Sequence, residues 1–285
     1  MQTEADYKLV RLVNGTWSVH STPQEETFHP VVGPIAEAES LYVKQLDLIA
    51  RATHSKKFVI WDIGLGAGAN VLTALKHLRT APAAVQIVSF DHTLAALSFA
   101  LKNSSELEFV IGFEEPIREL MAKNRVAFDN GLSRVEWTYE PGDFPALIKS
   151  EYSQILPQPD AIFFDAFSPA KNPAMWSLEL FQDLHSRVKG GRPCNLSTYS
   201  RATIVRVTLL LAGFYVGSGQ ATGEKEETTI ASTDATLVPR LLPPDWLKRV
   251  KSSRSAEPLH STAYVQRPIT EQSWTKLLQH PQFNG

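Results

Sequence analysis

Three short stretches hold the residues whose types and spacing could do chemistry. In the first, Asp62 is followed by Gly64, Gly66 and Gly68, directly after the apolar run Phe58, Val59, Ile60 and Trp61. That run is too short for a helix and reads as a buried strand. The next ten residues carry Val71, Leu72, Leu75 and Leu78 at helical spacing. A strand, a glycine turn and a helix N-terminus form a site for a nucleotide-like ligand at the strand's carboxyl end. Glycine there tolerates positive φ and lets a ligand approach the backbone. In the second stretch, VQIVSFD ends in Asp91, 25 residues after Gly66, close to where a ribose-binding carboxylate falls in such units. Asp91 could instead cap the helix that follows. In the third, the strand Ala161–Phe164 delivers Asp165 to the same sheet edge, ahead of a loop stiffened by Pro169 and Pro173. A carboxylate beside a ligand turn can orient an amine or accept its proton, and a dry pocket makes a carboxylate a better base.

These residues need a frame. Residues 7–19 read as two strands joined by a two-residue turn at Asn14-Gly15. Pro34 can start a helix, with Ile35, Ala38, Leu41, Tyr42, Leu46 and Ile49 as its apolar stripe. This whole segment precedes the first strand of the nucleotide fold and could lie over its mouth. Residues 107–130 look helical. RVEWTYE is a third strand, followed by Pro141-Gly142-Asp143-Phe144. PCNLSTYS is a fifth strand, FYVGSG a sixth, and EETTIAST a last one able to pair antiparallel with it. Strands alternating with helices predict an α/β fold with a doubly wound, mostly parallel sheet of seven strands. The expected divisions are an N-terminal hairpin and helix extension (1–55), a core (56–235) and a basic C-terminal tail with a short helix (236–285).

Bulk properties narrow the classes. At 285 residues, with 43% hydrophobic and 20% charged residues, the chain describes a soluble globular protein. The single Cys194 excludes an internal disulfide and suits a reducing compartment. No secretory signal or membrane-length apolar run is visible, so a cytoplasmic location and no membrane partner are expected. The eight histidines show no ligand spacing with Cys194 or paired acids, so no metal is expected. No G-x-S-x-G elbow marks a serine hydrolase. A net charge of −2 does not mark a nucleic-acid binder, and any such surface must be local. The most basic stretch holds Arg240, Lys248, Arg249, Lys251 and Arg254 against one acid, Asp245; such runs are usually solvated surface.

The glycine turn also satisfies the G-x-G-x-x-G/A dinucleotide pattern, so the glycines alone leave NAD open, as they do a purely structural turn. The form D-x-G-x-G-x-G resembles the first motif of Rossmann-like S-adenosylmethionine (SAM) methyltransferases. Asp62 would repel a pyrophosphate but can hold a cationic amino-acid moiety.

With DAFSPAKNPAMW (165–176) added, the chain resembles the methyltransferase domain of the bacterial tRNA 5-methylaminomethyl-2-thiouridine enzymes, the MnmC family, in a stand-alone form. TFHPVVGPIAEAESLYV (27–43), DIGLGAGAN (62–70) and TYSRATIVRVTLLLAGF (198–214) carry the rest of the likeness, across most of residues 25–235. The resemblance implies a Rossmann-like class I SAM-dependent methyltransferase that methylates the aminomethyl group at C5 of a wobble uridine in tRNA. It implies SAM as cofactor and no FAD, since the chain ends before a flavin oxidase domain. It also implies a separate enzyme to supply the aminomethyl-uridine.

By the same resemblance, Asp165 and Tyr199 are the catalytic candidates. Glu37, Asp62, Gly64, Gly66, Gly68, Asn70, Asp91, Asp143, Phe144 and Asp165 would hold the cofactor, with Asp143 and Phe144 at the adenine. Phe167, Pro169, Lys171, Trp176 and Ser200 would line the substrate side. The family's commonly more basic stretch is replaced here by GEKEETTIAS (223–232), which keeps Lys225 and Glu226 or Glu227. Readings left open are methylation of a small amine, an aminopropyltransferase-like reaction, and a non-catalytic RNA-binding module.

Overall fold

The computed structural model describes residues 3–222, 226–260 and 263–284. Lys225 lies outside the described residues. The chain opens with strands β1 (Tyr7–Arg11), β2 (Trp17–Ser21) and β3 (Glu26–Thr27), which form a small antiparallel sheet. The β1–β2 connection is not the two-residue turn expected at Asn14-Gly15. Leu12 N donates to Thr16 O (2.8 Å), leaving a three-residue tip in which Gly15 takes positive φ. That is the usual demand of a three-residue hairpin loop.

The helix expected from Pro34 is broken into α1 (Pro34–Ala38), a π-helical turn (Glu39–Lys44) and α2 (Leu48–Thr53). Asp47, in the left-handed region at φ 48°, makes the second break and rotates the stripe. Ala38, Leu41, Tyr42 and Leu46 stay buried, whereas Ile49 turns out to solvent.

The core sheet comprises β4 (Phe58–Ile63), β5 (Ala84–Asp91), β6 (Arg125–Asn130), β7 (Ser133–Pro141), β8 (Ala161–Phe164), β9 (Asn195–Thr198), β10 (Tyr215–Ser218) and β11 (Thr229–Ser232). Their order is β10-β11-β9-β8-β4-β5-β7-β6. The four central pairings are parallel, while β6–β7, β11–β9 and β10–β11 are antiparallel. The sheet therefore has eight strands, one more than expected.

The additional strand is β6, in the stretch read as helix. Helix α5 (Glu114–Lys123) ends at Asn124, whose left-handed conformation turns the chain back. β6 then pairs with β7 across the two-residue turn Gly131-Leu132. Gly131 must lack a side chain: a Cβ there would stand 2.4 Å from Arg79 O.

Helices flank the sheet on both faces. α1, α2, α3 (Ala69–Leu78), α4 (Ala95–Lys102) and α5 share one apolar core with Phe58 and Ile60 of β4. On the other face, α6 (Phe144–Lys149), α7 (Leu178–Val188), α8 (Thr203–Leu211), α9 (Trp246–Ser252) and α10 (Glu271–Leu278) pack around Val59, Trp61 and Ile63. Alternate side chains of one strand thus serve opposite cores, which requires a strand apolar on both faces. β4 and β8 are buried at every position. No described helix is long and apolar enough to cross a membrane.

The basic stretch forms α9 and its flanks. Lys248 pairs with Asp245, Lys251 pairs with Glu271 and lies over the Trp274 ring, and Arg240 donates to Gly219 O.

Candidate active site

A cavity of about 1030 Å³ opens at the carboxyl edge of β4, β5 and β8. This lies at the top of the range for small-molecule sites, about 300–1,000 Å³, and has room for a nucleoside ligand and a second reactant. The parallel strands place their ends together, so residues far apart in the chain meet there.

The glycine turn forms one wall, through Gly64 and Gly66. Gly64, at φ 94°, is required for a reason other than ligand approach: a Cβ on it would stand 2.6 Å from Asp165 O. Its bare α-carbon lets the Asp165 loop close onto the turn. Gly68 does not line the cavity. A Cβ there would meet Leu97 Cδ1 at 2.9 Å, so this glycine serves helix packing.

Asp91 Oδ2 accepts the Gly66 amide at 2.9 Å and Oδ1 accepts the His92 amide at 2.7 Å. The expected alternative, a cap on α4, does not hold, because that helix starts at Ala95 after Leu94. Burial raises the pKa of Asp91, opposed by the amides of Gly66, His92 and Thr93.

Asp165 is held by Asn70, whose Nδ2 donates to Oδ2 at 2.7 Å; its side chain is 17% exposed. His29 Nε2 stands 3.9 Å from the same oxygen. The Tyr199 hydroxyl donates to Ala166 O at 3.1 Å and so fixes the loop one residue past Asp165. Burial, then the charges of Asp165, Glu26 and Glu37, push the Tyr199 pKa well above 10. Tyr199 is therefore a neutral hydroxyl at physiological pH rather than a base. Glu37 and Phe144 also reach the cavity wall, as do Phe167 and Lys171.

The other expected site residues stand elsewhere. Asp62 is buried in the sheet, 1% exposed, and accepts the Ser89 hydroxyl at 2.8 Å, which in turn accepts Trp137 Nε1. Burial raises its pKa to about 8, the Ser89 hydrogen bond opposing, with Asp165 and Asp91 adding to the rise. Asp143 caps α6 by accepting the Ala146 amide, and its side chain faces His92 outside the cavity. Trp176 is core: its indole donates to Phe167 O and its ring packs on Phe164 and Tyr199. Pro169 stiffens the loop without reaching the cavity, and Ser200 Oγ accepts the Ala202 amide. Glu227 pairs with the buried Arg206 at 2.9 Å and accepts the Ser218 hydroxyl, an anchor between α8 and the β10–β11 hairpin.

The segment expected to lie over the mouth of the fold supplies a strap that closes the cavity. Residues from Gln24 to Pro30 lie across its mouth. Glu26 accepts both the amide and the hydroxyl of Ser168, and Lys171 pairs with Glu25 at 2.8 Å. The Phe28 ring packs against Phe167 (5.7 Å between centroids) and stands above Gly66. The signal was present in TFHPVVGP, whose prolines and glycine exclude a regular element. Which side chains it would present was not legible.

The residues present fit SAM, a cation with a sulfonium and an amino-acid head. Glu37, Asp91 and Asp165 make the wall acidic, and Asn70 Oδ1 is buried with no donor. They fit a pyrophosphate poorly, because the Gly66 amide that would bind one already donates to Asp91.

The comparisons agree. Residues 121–234 match the family of S-adenosyl-L-methionine-dependent methyltransferases. The fold and the site are those of a Rossmann-like SAM-dependent methyltransferase. Within that class the chain resembles the MnmC proteins. The crystal structure of MnmC2 from Aquifex aeolicus superposes with a TM-score of 0.70 at 27% identity, over 95% of this chain and 84% of that one. The tRNA 5-methylaminomethyl-2-thiouridine biosynthesis bifunctional protein MnmC of Leptospira interrogans is 29% identical over 252 residues, 82% of this chain and 37% of the relative. Its namesake in Aeromonas hydrophila is 31% identical over 237 residues, 74% and 34%. The chain spans about a third of the length of these curated relatives.

Proposed function

We propose that this methyltransferase acts on tRNA and transfers the methyl of SAM to the amino group of an aminomethyl substituent at C5 of the wobble uridine. The observation that carries the reading is the placement of Asp165 and Asn70 against the glycine turn. The loop that begins at Asp165 bears the DAFSPAKNPAMW signature, in a chain similar to proteins named for tRNA 5-methylaminomethyl-2-thiouridine biosynthesis.

When bound, SAM supplies a methyl group on a sulfonium that leaves as a neutral thioether. Asp91 would take the ribose hydroxyls, Phe144 the adenine face, and Glu37 and Asn70 the amino-acid head. What remains for the protein is the amine. Only its neutral form has a lone pair, and an amine with a lysine-like pKa would cost up to about 4.6 kcal/mol to deprotonate at pH 7. Asp165 Oδ2 is held by Asn70, so Oδ1 is left to face the amine and orient it. Phe28, Phe167 and the strap would keep water out, where fixed positioning contributes most.

The test is incubation with radiolabelled SAM and tRNA from cells lacking the wobble-uridine methyl group, followed by nucleoside analysis. Label is expected in methylaminomethyl-uridine, and is expected to vanish in Asp165→Ala while SAM binding persists. Measured SAM binding without label in tRNA would discard the substrate and move the search to small amines.

A further inference from the structure

His29 stands beside Asp165 on the cavity wall. Its Nε2 stands 3.9 Å from Asp165 Oδ2, and its side chain is only 8% exposed. The backbone is held at φ 49°, a left-handed conformation that persists in a non-glycine residue only when its surroundings enforce it. Those surroundings are contacts on either side: before it, Phe28 N donates to Val19 O and Glu26 grips Ser168, and after it, Val32 O accepts Asn14 Nδ2. The strain turns the imidazole inward rather than out to solvent. At 3.9 Å the ring makes no hydrogen bond with Asp165, so in the tautomer with its proton on Nδ1 the Nε2 lone pair is open to the cavity.

We propose that His29 is a catalytic residue of the transfer: it accepts the proton of the substrate ammonium at Nε2, and Asp165 stabilises the imidazolium that results. The inference rests on the amine-methylation reading above. The step balances. The N–H bond of the ammonium breaks and its proton passes to Nε2. The freed lone pair then forms the N–C bond to the methyl as the C–S bond breaks, with that electron pair staying on sulfur. The product is a secondary ammonium, and the imidazolium gives its proton to water. Histidine suits this task better than a lone carboxylate, because its ordinary pKa lies close to neutrality. The other charged groups on the cavity wall are Glu25, Glu26, Glu37 and Asp91 with Lys171 and His92; Glu25 and Lys171 pair with each other.

The variant to make is His29→Gln, which fills the same space and can hydrogen-bond but cannot hold a proton. In single-turnover assays with SAM and the aminomethyl-uridine tRNA, the rate is expected to fall about 10²-fold or more, with SAM affinity unchanged by calorimetry. Added imidazole is expected to restore part of the rate in His29→Ala. A His29→Gln rate within threefold of the wild type overturns the proposal. If the wild type itself transfers no methyl to tRNA, the substrate reading fails separately. The pair is then judged by NMR of the His29 ring: Asp165→Asn must move its Nε2 resonance, and an unmoved resonance overturns the pairing.

Discussion

At the scale of single residues, the site divides its acids by what already occupies them. Asp91 spends both oxygens on backbone amides, which fixes the carboxylate and ties the second strand's end to the glycine turn. A ribose hydroxyl can still donate to it, because each carboxylate oxygen accepts more than one hydrogen bond. Asp91→Ala is therefore expected to weaken SAM binding by about 1.5–3 kcal/mol, the range for hydrogen bonds to a charged group. Calorimetry on the folded variant checks this, and unchanged affinity would remove Asp91 from the cofactor site. Asp62, one strand away, looks equivalent in sequence yet lies beneath the surface, its Oδ2 taken by Ser89. Both side chains share one face of the sheet, but Asp62 is level with Ser89, two residues short of Asp91, and so sits deeper from the carboxyl edge. Its side chain points with Phe58 and Ile60 into the core under α1 and α3, where the Tyr42 hydroxyl is also buried without a partner.

At the scale of elements, the decisive contact is between two loops. The glycine turn and the Asp165 loop follow adjacent parallel strands, and the absence of a Cβ at Gly64 lets them touch. Gly64→Ala is expected to destabilise the fold by about 2 kcal/mol or more, from φ 94° and the clash together. It should also impair transfer more than SAM binding, because the loop displaced carries Asp165. Chemical denaturation and single-turnover rates measure the two effects, and a stable, fully active variant would contradict the arrangement. The strap adds a third element to this corner. It closes the cavity by pairing Glu26 with Ser168 and Phe28 with Phe167, not by any regular structure of its own beyond two residues of β3.

At the scale of the whole molecule, Asp62 links stability to pH. In the unfolded chain its carboxyl ionises near pH 4, whereas in the fold burial holds the pKa near 8. Between those values the folded state keeps a proton that the unfolded state has lost, so this residue's contribution to stability falls as pH rises and levels off above pH 8. Asp62→Asn should remove that slope, gaining on the wild type by on the order of 2 kcal/mol between pH 5 and pH 8. Parallel denaturation curves for the two proteins at both pH values would show that Asp62 is ionised in the fold. The sequence by itself determined the α/β class, the strand–turn–helix at Phe58–Leu78 and the arrival of Asp91 and Asp165 at one sheet edge. Buried parallel strands announce themselves as apolar runs, and each run's carboxyl end is the ligand edge. The same local signals misplaced the tight turn. Asn14-Gly15 sits in a longer loop, whereas Asn130-Gly131 marks the real two-residue hairpin and with it the eighth strand. Only the tertiary structure decided which polar residues face the cavity. Asp62, Gly68, Asp143, Pro169, Trp176 and Ser200 turned to packing or capping, while Phe28 and His29 turned inward. Which way a side chain points depends on partners distant in sequence, and no local pattern encodes them.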